Sequence, residues 1–204
     1  MEHYLESVDL KLNYGSGALN ITTDALDLVE FVKGSLVNNF DSGEFLDIGA
    51  GIGTLTFLLY KQKNFSKFHA IEIQRDVYDL LVSNILLNNI DIKVYNMDIK
   101  EFKSDVKFKF IISNPPFYKT NSGFMPQDEV LKISKFEVSL KLSELLDSVD
   151  LLLDESGYFF LILPIERDKE LRKDNRFIVE SYKEHSRGKK TFITYLLRKR
   201  NYDK

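Results

Sequence analysis

Between residues 44 and 164, apolar strand-like runs alternate with helix-like runs, and then the alternation stops. "EFLDIG" (44–49), "KFHAIEI" (67–73), "DIKVYNM" (91–97), "FKFIIS" (108–113) and "YFFLILP" (158–164) read as strands. Between them, Leu55, Leu58 and Leu59, then Val77, Leu80, Leu81 and Ile85, keep helical spacing; the second helix stops at Asn88-Asn89. The clearest helix runs through Leu142, Leu145, Leu146, Val149, Leu152 and Leu153, with Glu155-Ser156-Gly157 as its end. Such alternation predicts a mostly parallel sheet with helices on both faces. The last two strands, "RFIVESY" (176–182) and "TFITYLLRK" (191–199), are joined by only about eight residues around Gly188. A parallel pair needs a crossover of about a dozen or more, so this pair is predicted to be antiparallel. The expectation is a seven-stranded α/β sheet whose last strand is antiparallel.

One domain over 1–204 is expected, with a segment and helix over 1–40, a core over 44–164 and terminal strands over 176–199. The first helix has an N-cap in Thr22-Thr23-Asp24 and an apolar stripe in Ala25, Leu28, Val29, Val32 and Leu36. Asp41-Ser42-Gly43 breaks it, a polar loop spans 118 to 136, and a short charged helix fits within 166 to 174.

"FLDIGAGIGTLT" places Asp47, Gly49, Gly51 and Gly53 at alternate positions between a strand and a helix. Glycines there let the backbone turn tightly and approach a ligand closely. Thr54 follows where a dinucleotide turn has its third glycine, and no Gly-Lys-Ser/Thr follows, which excludes a P-loop. Asp47 repels a pyrophosphate and attracts an amine. Glu72 ends the second strand 21 residues after Gly51, the place from which an acid accepts hydrogen bonds from ribose hydroxyls. Asp98, after the third strand, suits an adenine amino group. Singly these are turn and cap residues; together they line one crevice at the carboxyl ends of successive strands.

Net charge is −3, so the whole chain is no electrostatic glove for nucleic acid. Residues 183 to 204 are the exception, with eight Lys and Arg against two acids, a local +6 that leaves −9 elsewhere. That is either a phosphate-facing patch or a solvated edge. Without cysteine there is no disulfide or thiolate metal site, and His3, His69 and His185 have no metal-ligand spacing, so no metal is expected. The opening Met1-Glu2-His3-Tyr4 lacks a signal-peptide layout and no apolar run approaches the roughly 20 residues of a membrane helix. A cytoplasmic chain, with no membrane partner and working as a monomer, is expected.

On Asp47 to Gly53, Glu72, Asp98 and the antiparallel final strands, the sequence resembles the class I S-adenosylmethionine-dependent methyltransferases over nearly its whole length. The resemblance implies a Rossmann-like fold and S-adenosylmethionine as cofactor. It places the methionine part near Asp47 and Gly49, with Thr23, Gly51, Gly53, Glu72, Asp98 and Asn114 also on the cofactor.

"ISNPPFY" (112–118) then acquires a purpose. Alone, its paired prolines are a rigid turn. After a fourth strand in this family, the segment matches the (D/N/S)-P-P-(Y/F/W) motif of amino-methyltransferases. An exocyclic amine is a poor nucleophile because its lone pair is delocalised. The Asn114 side-chain oxygen and the Pro115 carbonyl can take its two N–H groups and aim the nitrogen. Pro116 stiffens the turn, and Phe117 offers a face for a flipped base.

The closest resemblance is to the tRNA adenine-N6 methyltransferases acting on adenosine 37 of valine tRNA. Thr23-Asp24, "IISNPPF" and Glu137 carry it. It implies an RNA substrate, a tRNA, methylated at adenine N6. The alternatives are a protein glutamine N-methyltransferase and a guanine-N2 rRNA methyltransferase. A helical domain of the glutamine type and a duplicated domain of the guanine type are not expected here. The short crossover over 165 to 175 departs from the family and bears on how RNA is held. An idle cofactor-binding subunit is disfavoured by intact Asn114, Pro115, Pro116 and Phe117.

Overall fold

A computed structural model describes residues 2–14, 21–36, 41–62, 64–116 and 140–200. Nine strands are found among them: β1 (Glu2–Leu5), β2 (Leu10–Asn13), β3 (Gly43–Ile48), β4 (Phe65–Glu72), β5 (Ile92–Asn96), β6 (Phe108–Ser113), β7 (Leu153–Pro164), β8 (Phe177–Arg187) and β9 (Lys190–Lys199). The helices are α1 (Thr23–Leu36), α2 (Thr54–Leu59), α3 (Arg75–Asn88), α4 (Leu142–Leu152) and the single turn α5 (Asp168–Leu171), preceded by a 3-10 turn at Ile165–Arg167.

The main sheet has seven strands in the order β5-β4-β3-β6-β7-β9-β8. Pairings from β5 to β7 are parallel; β9 runs antiparallel to both β7 and β8. The predicted sheet and its antiparallel end are therefore present. Central strands are buried on both faces: Phe45, Leu46, Asp47 and Ile48 of β3 are all buried. Phe45, Phe110, Ile112 and Phe160 pack under α1, α2 and α3. Leu46, Ile48, Ile111 and Phe159 pack under α4 through Leu145, Leu146 and Val149. Asn89 closes α3 in the left-handed region (φ 49°), its N–H reaching the carbonyls of Ile85 and Leu86.

One feature is added and two expectations are corrected. The stretch before α1 contains a hairpin, β1 with β2, whose Leu5, Val8, Leu10 and Leu12 are buried. Its four-residue strands and glycine-free turn give a weak signal, with Asp9 (φ 54°) supplying the left-handed position. The fourth helix ends at Leu152, not at Glu155-Ser156-Gly157. Leu153 is extended and pairs with Phe108, so it enters the same core as a strand residue that it would enter as a helical one. The last hairpin turns at Gly188-Lys189, between Arg187 and Lys190, rather than over about eight residues. β8 is the sheet edge, with Lys183, Glu184 and Ser186 exposed, so its polar run from Lys183 to Arg187 reads as loop.

Candidate active site

The glycine turn leaves β3 between the ends of β4 and β6. N–H groups of Gly49 and Ala50 both donate to the Ile71 carbonyl of β4, at 3.0 and 2.9 Å. Gly49, Gly51 and Gly53 all have positive φ, 73°, 59° and 98°. Their demands differ. A Cβ on Gly51 meets nothing within 4 Å, so it would project into open space. A Cβ on Gly53 would stand 2.6 Å from Phe57 and 2.8 Å from Leu81, inside the packing of α2 and α3.

Asp47 is fully buried. Its Oδ2 accepts from the Thr56 hydroxyl of α2 at 2.7 Å, while its Oδ1 has no hydrogen-bond partner. Burial pushes the carboxyl up to about 7, the Thr56 bonds oppose it, and the charge of Glu72 adds a smaller push. A group with an N–H or a positive charge beside Oδ1 would satisfy the orphaned acceptor.

Glu72 is buried, and both its oxygens are in use. Oε2 accepts from the Gly51 N–H at 2.9 Å and Oε1 from the Gln74 N–H at 2.8 Å. Burial raises its carboxyl, and the backbone N–H groups of Gln74, Gly51 and Ile73 pull it back. The acid is thus a strut for the turn, with lone pairs left over for a ligand. Asp98 is half-buried; Oδ1 accepts the Lys100 N–H at 3.0 Å, and Lys100 Nζ lies 3.3 Å from Oδ2. Ile73 stands 41% exposed directly after Glu72. Asn96 fixes this corner by donating to the carbonyls of Glu72 and Ile73.

β6 brings the second half of the site. Ser113 pairs in register with Ile48, and its hydroxyl donates to the Ile48 carbonyl at 2.9 Å. Asn114 therefore leaves β6 beside the point where Gly49 leaves β3. Its Oδ1 is buried and has no partner. Pro115 is buried, Pro116 half-buried, and together they wall a shallow groove against Leu142, Leu145 and Leu163. Phe117, Glu137 and the loop from 118 to 136 lie outside the described residues.

Thr23 is exposed at the start of α1, where the cap is Thr22, whose Oγ1 accepts from the Ala25 N–H at 3.2 Å. Asp24 instead takes Arg187 at 2.9 Å, and Arg187 also bonds Asp27. Part of the basic end is spent in the same way. Arg198 pairs with Glu180 at 2.8 Å, Lys199 with Glu155 at 2.9 Å, and Arg200 donates to the Asn175 carbonyl. His69 is packed against Glu44 and Tyr95, and no cluster of metal-binding side chains occurs among the described residues.

Residues 26–131 match the family described as methyltransferase small domain. The chain is 30% identical over 159 residues to a tRNA1(Val) (adenine(37)-N6)-methyltransferase of Christiangramia forsetii, covering 75% of this chain and 64% of that protein. It is 28% identical over 127 residues to the protein of the same name from Flavobacterium johnsoniae, covering 60% of this chain and 53% of that one. The chain thus spans between about half and two thirds of the length of these relatives. In fold it is similar to a T. thermophilus 16S rRNA N2 G1207 methyltransferase solved with AdoMet and guanosine. The TM-score is 0.68 at 16% identity, covering 98% of this chain and 50% of that one. The sheet order, the antiparallel β9 and this likeness make the fold that of the class I methyltransferases. With just over half of its residues matched, from the first helix to beyond the paired prolines, the chain belongs to the methyltransferase small domain family.

Proposed function

We propose that the chain is an S-adenosylmethionine-dependent N-methyltransferase acting on adenine N6 in a tRNA. The observation that carries the reading is the buried, unpartnered Oδ1 of Asn114 beside the glycine turn. A buried acceptor left unmade costs stability, and an incoming N–H removes that cost. The residues also fit the cofactor. Asp47 Oδ1 is an unmatched acceptor for an amine, the turn is open where a Cβ on Gly51 would stand, and Glu72, Ile73 and Asp98 follow along the strand ends.

When bound, the cofactor supplies a methyl group on a positively charged sulfur. The protein's part is to orient and to hold charge. Asn114 Oδ1 accepts one N–H of the acceptor amine, and the Pro115 carbonyl accepts the other. Both oxygens also face the positive charge that grows on nitrogen, so they bind the transition state better than the ground state. Pro115 and Pro116 keep the two oxygens from separating. Phe117 is proposed to stack on the base.

The tRNA and the N6 position rest on the names of the relatives. The internal pairing of Arg187, Arg198 and Lys199 weakens the basic end as an argument for RNA, and a glutamine amide presents the same planar N–H pair. Transfer of labelled methyl from S-adenosylmethionine to separate tRNA, rRNA and protein fractions, followed by nucleoside and amino-acid analysis, decides. N6-methyladenosine in tRNA is the expected product; label in protein alone or in guanine overturns this assignment. A cytoplasmic monomer belongs to the same proposal, and sedimentation showing a stable dimer would contradict the monomer.

A further inference from the structure

Asn84 is fully buried on α3, on a face otherwise made of Val77, Leu81 and Ile85. A hydrophobic residue would satisfy the packing there, so the amide must answer to something else. Its Nδ2 donates to the carbonyl of Ile52, between Gly51 and Gly53 of the turn, at 3.0 Å. The same nitrogen donates to the Asn13 carbonyl of β2 at 3.0 Å, and Oδ1 accepts the Asn13 N–H at 2.8 Å. One turn further along, Asn88 does the same for Lys11, donating to its carbonyl and accepting its N–H, both at 2.6 Å. The match is geometric. Four residues of helix rise about 6 Å, close to the rise of two residues of strand. Two amides four apart on α3 therefore meet two backbone units two apart on β2. Beyond the hairpin, Asn88 bonds only its own helix, Nδ2 donating to the Asn84 carbonyl at 2.7 Å; the Asn84 side chain touches the hairpin and the turn together.

We propose that Asn84 is a positioning residue that holds the glycine turn in its ligand-binding shape and links hairpin docking to cofactor binding. The inference rests on the assignment of the turn to S-adenosylmethionine. Without the amide, the Ile52 carbonyl and both Asn13 backbone groups lose their partner on α3. Because linkage is reciprocal, a cofactor that stabilises the turn must also stabilise the docked hairpin.

Calorimetric titration with S-adenosylmethionine, using the whole chain, tests this on the wild type, Asn84→Leu and Asn88→Leu, with thermal unfolding of each. Both variants are expected to lower the Tm, because both loosen the hairpin. Asn84→Leu is expected to bind about tenfold more weakly, while Asn88→Leu stays within about twofold of wild type. Hydrogen exchange on the wild type supplies a readout that needs no variant: the amides of Lys11 and Asn13 are expected to exchange more slowly at saturating cofactor. Wild-type binding with no slowing at those two amides overturns the inference, as does an Asn84→Leu protein that binds like wild type. A wild type that binds no S-adenosylmethionine overturns the cofactor assignment itself, and this inference falls with it.

Discussion

Among the described residues, two side-chain oxygens, on Asp47 of β3 and on Asn114 just after β6, are buried without partners, and the proposed chemistry turns on them. Asn114→Ala is expected to slow methyl transfer by about 10²–10³-fold while leaving cofactor affinity nearly intact, because its oxygen serves the acceptor nitrogen. Single-turnover rates beside binding titrations check this; near-normal turnover refutes the orientation mechanism. For Asp47 the carboxyl is raised from 3.8 to about 7. Its neutral form is favoured in the fold, so its contribution to stability is full in acid and is lost as pH rises from about 4 to about 7. A cofactor amine favours the ionised form, so affinity should rise with pH up to about 7, with a proton released on binding below that. Asp47→Asn should abolish both dependences. Titration in buffers of different ionisation enthalpy measures the proton directly. The glycines separate in the same manner. Gly53→Ala drives a Cβ into Phe57 and Leu81 and should cost about 2 kcal/mol or more of stability. Gly51→Ala pays only the left-handed backbone penalty, about 1–2 kcal/mol, yet blocks the open side of the turn and should damage binding more. Denaturant midpoints set against cofactor Kd distinguish the two.

At the level of elements, the turn between β8 and β9 is tied to the start of α1 by Arg187, which bonds Asp24 and Asp27, with His185 also 3.4 Å from Asp27. All four groups are partly buried, so the cluster lies between a surface pair and a core pair in worth. Arg187→Ala should destabilise the chain by about 1–2 kcal/mol, read as a lowered Tm. This ion cluster gives Asp24 a structural duty that its place beside Thr23 did not reveal. Motif matching sees that Thr-Asp precedes the glycine turn; it cannot see that a residue 163 positions away closes on it.

For the molecule as a whole, a net charge of −3 and the internal pairing of Arg187, Arg198 and Lys199 limit how much RNA affinity can come from long-range attraction. Lys183 and Lys189 stand exposed on the last hairpin. Removing both charges, in a Lys183→Ala/Lys189→Ala protein, should leave the salt dependence of tRNA binding unchanged. A slope reduced by about 0.7–0.9 per residue would instead return the hairpin to the RNA interface. No described helix is long and apolar enough to cross a membrane.

Apolar runs alternating with period-3.6 runs by themselves determined the parallel core, because burial on both faces of a central strand demands an unbroken apolar run such as Phe159 to Leu163. Short-range chemistry determined the glycine turn, the strand-end acids and the Asn-Pro-Pro corner, since each depends on backbone geometry within a few residues. What spacing cannot express was left to the tertiary structure. The strand order, with β9 slotted between β7 and β8, depends on contacts made only after the chain returns. The hairpin before α1 is too short to declare itself; it docks where Asn84 and Asn88 bond its backbone and where Leu5, Val8, Leu10 and Leu12 enter the core. Glu72 looked like a ligand for ribose from its position alone; that it also holds Gly51 follows from β4 lying beside β3, where a buried carboxylate must find donors.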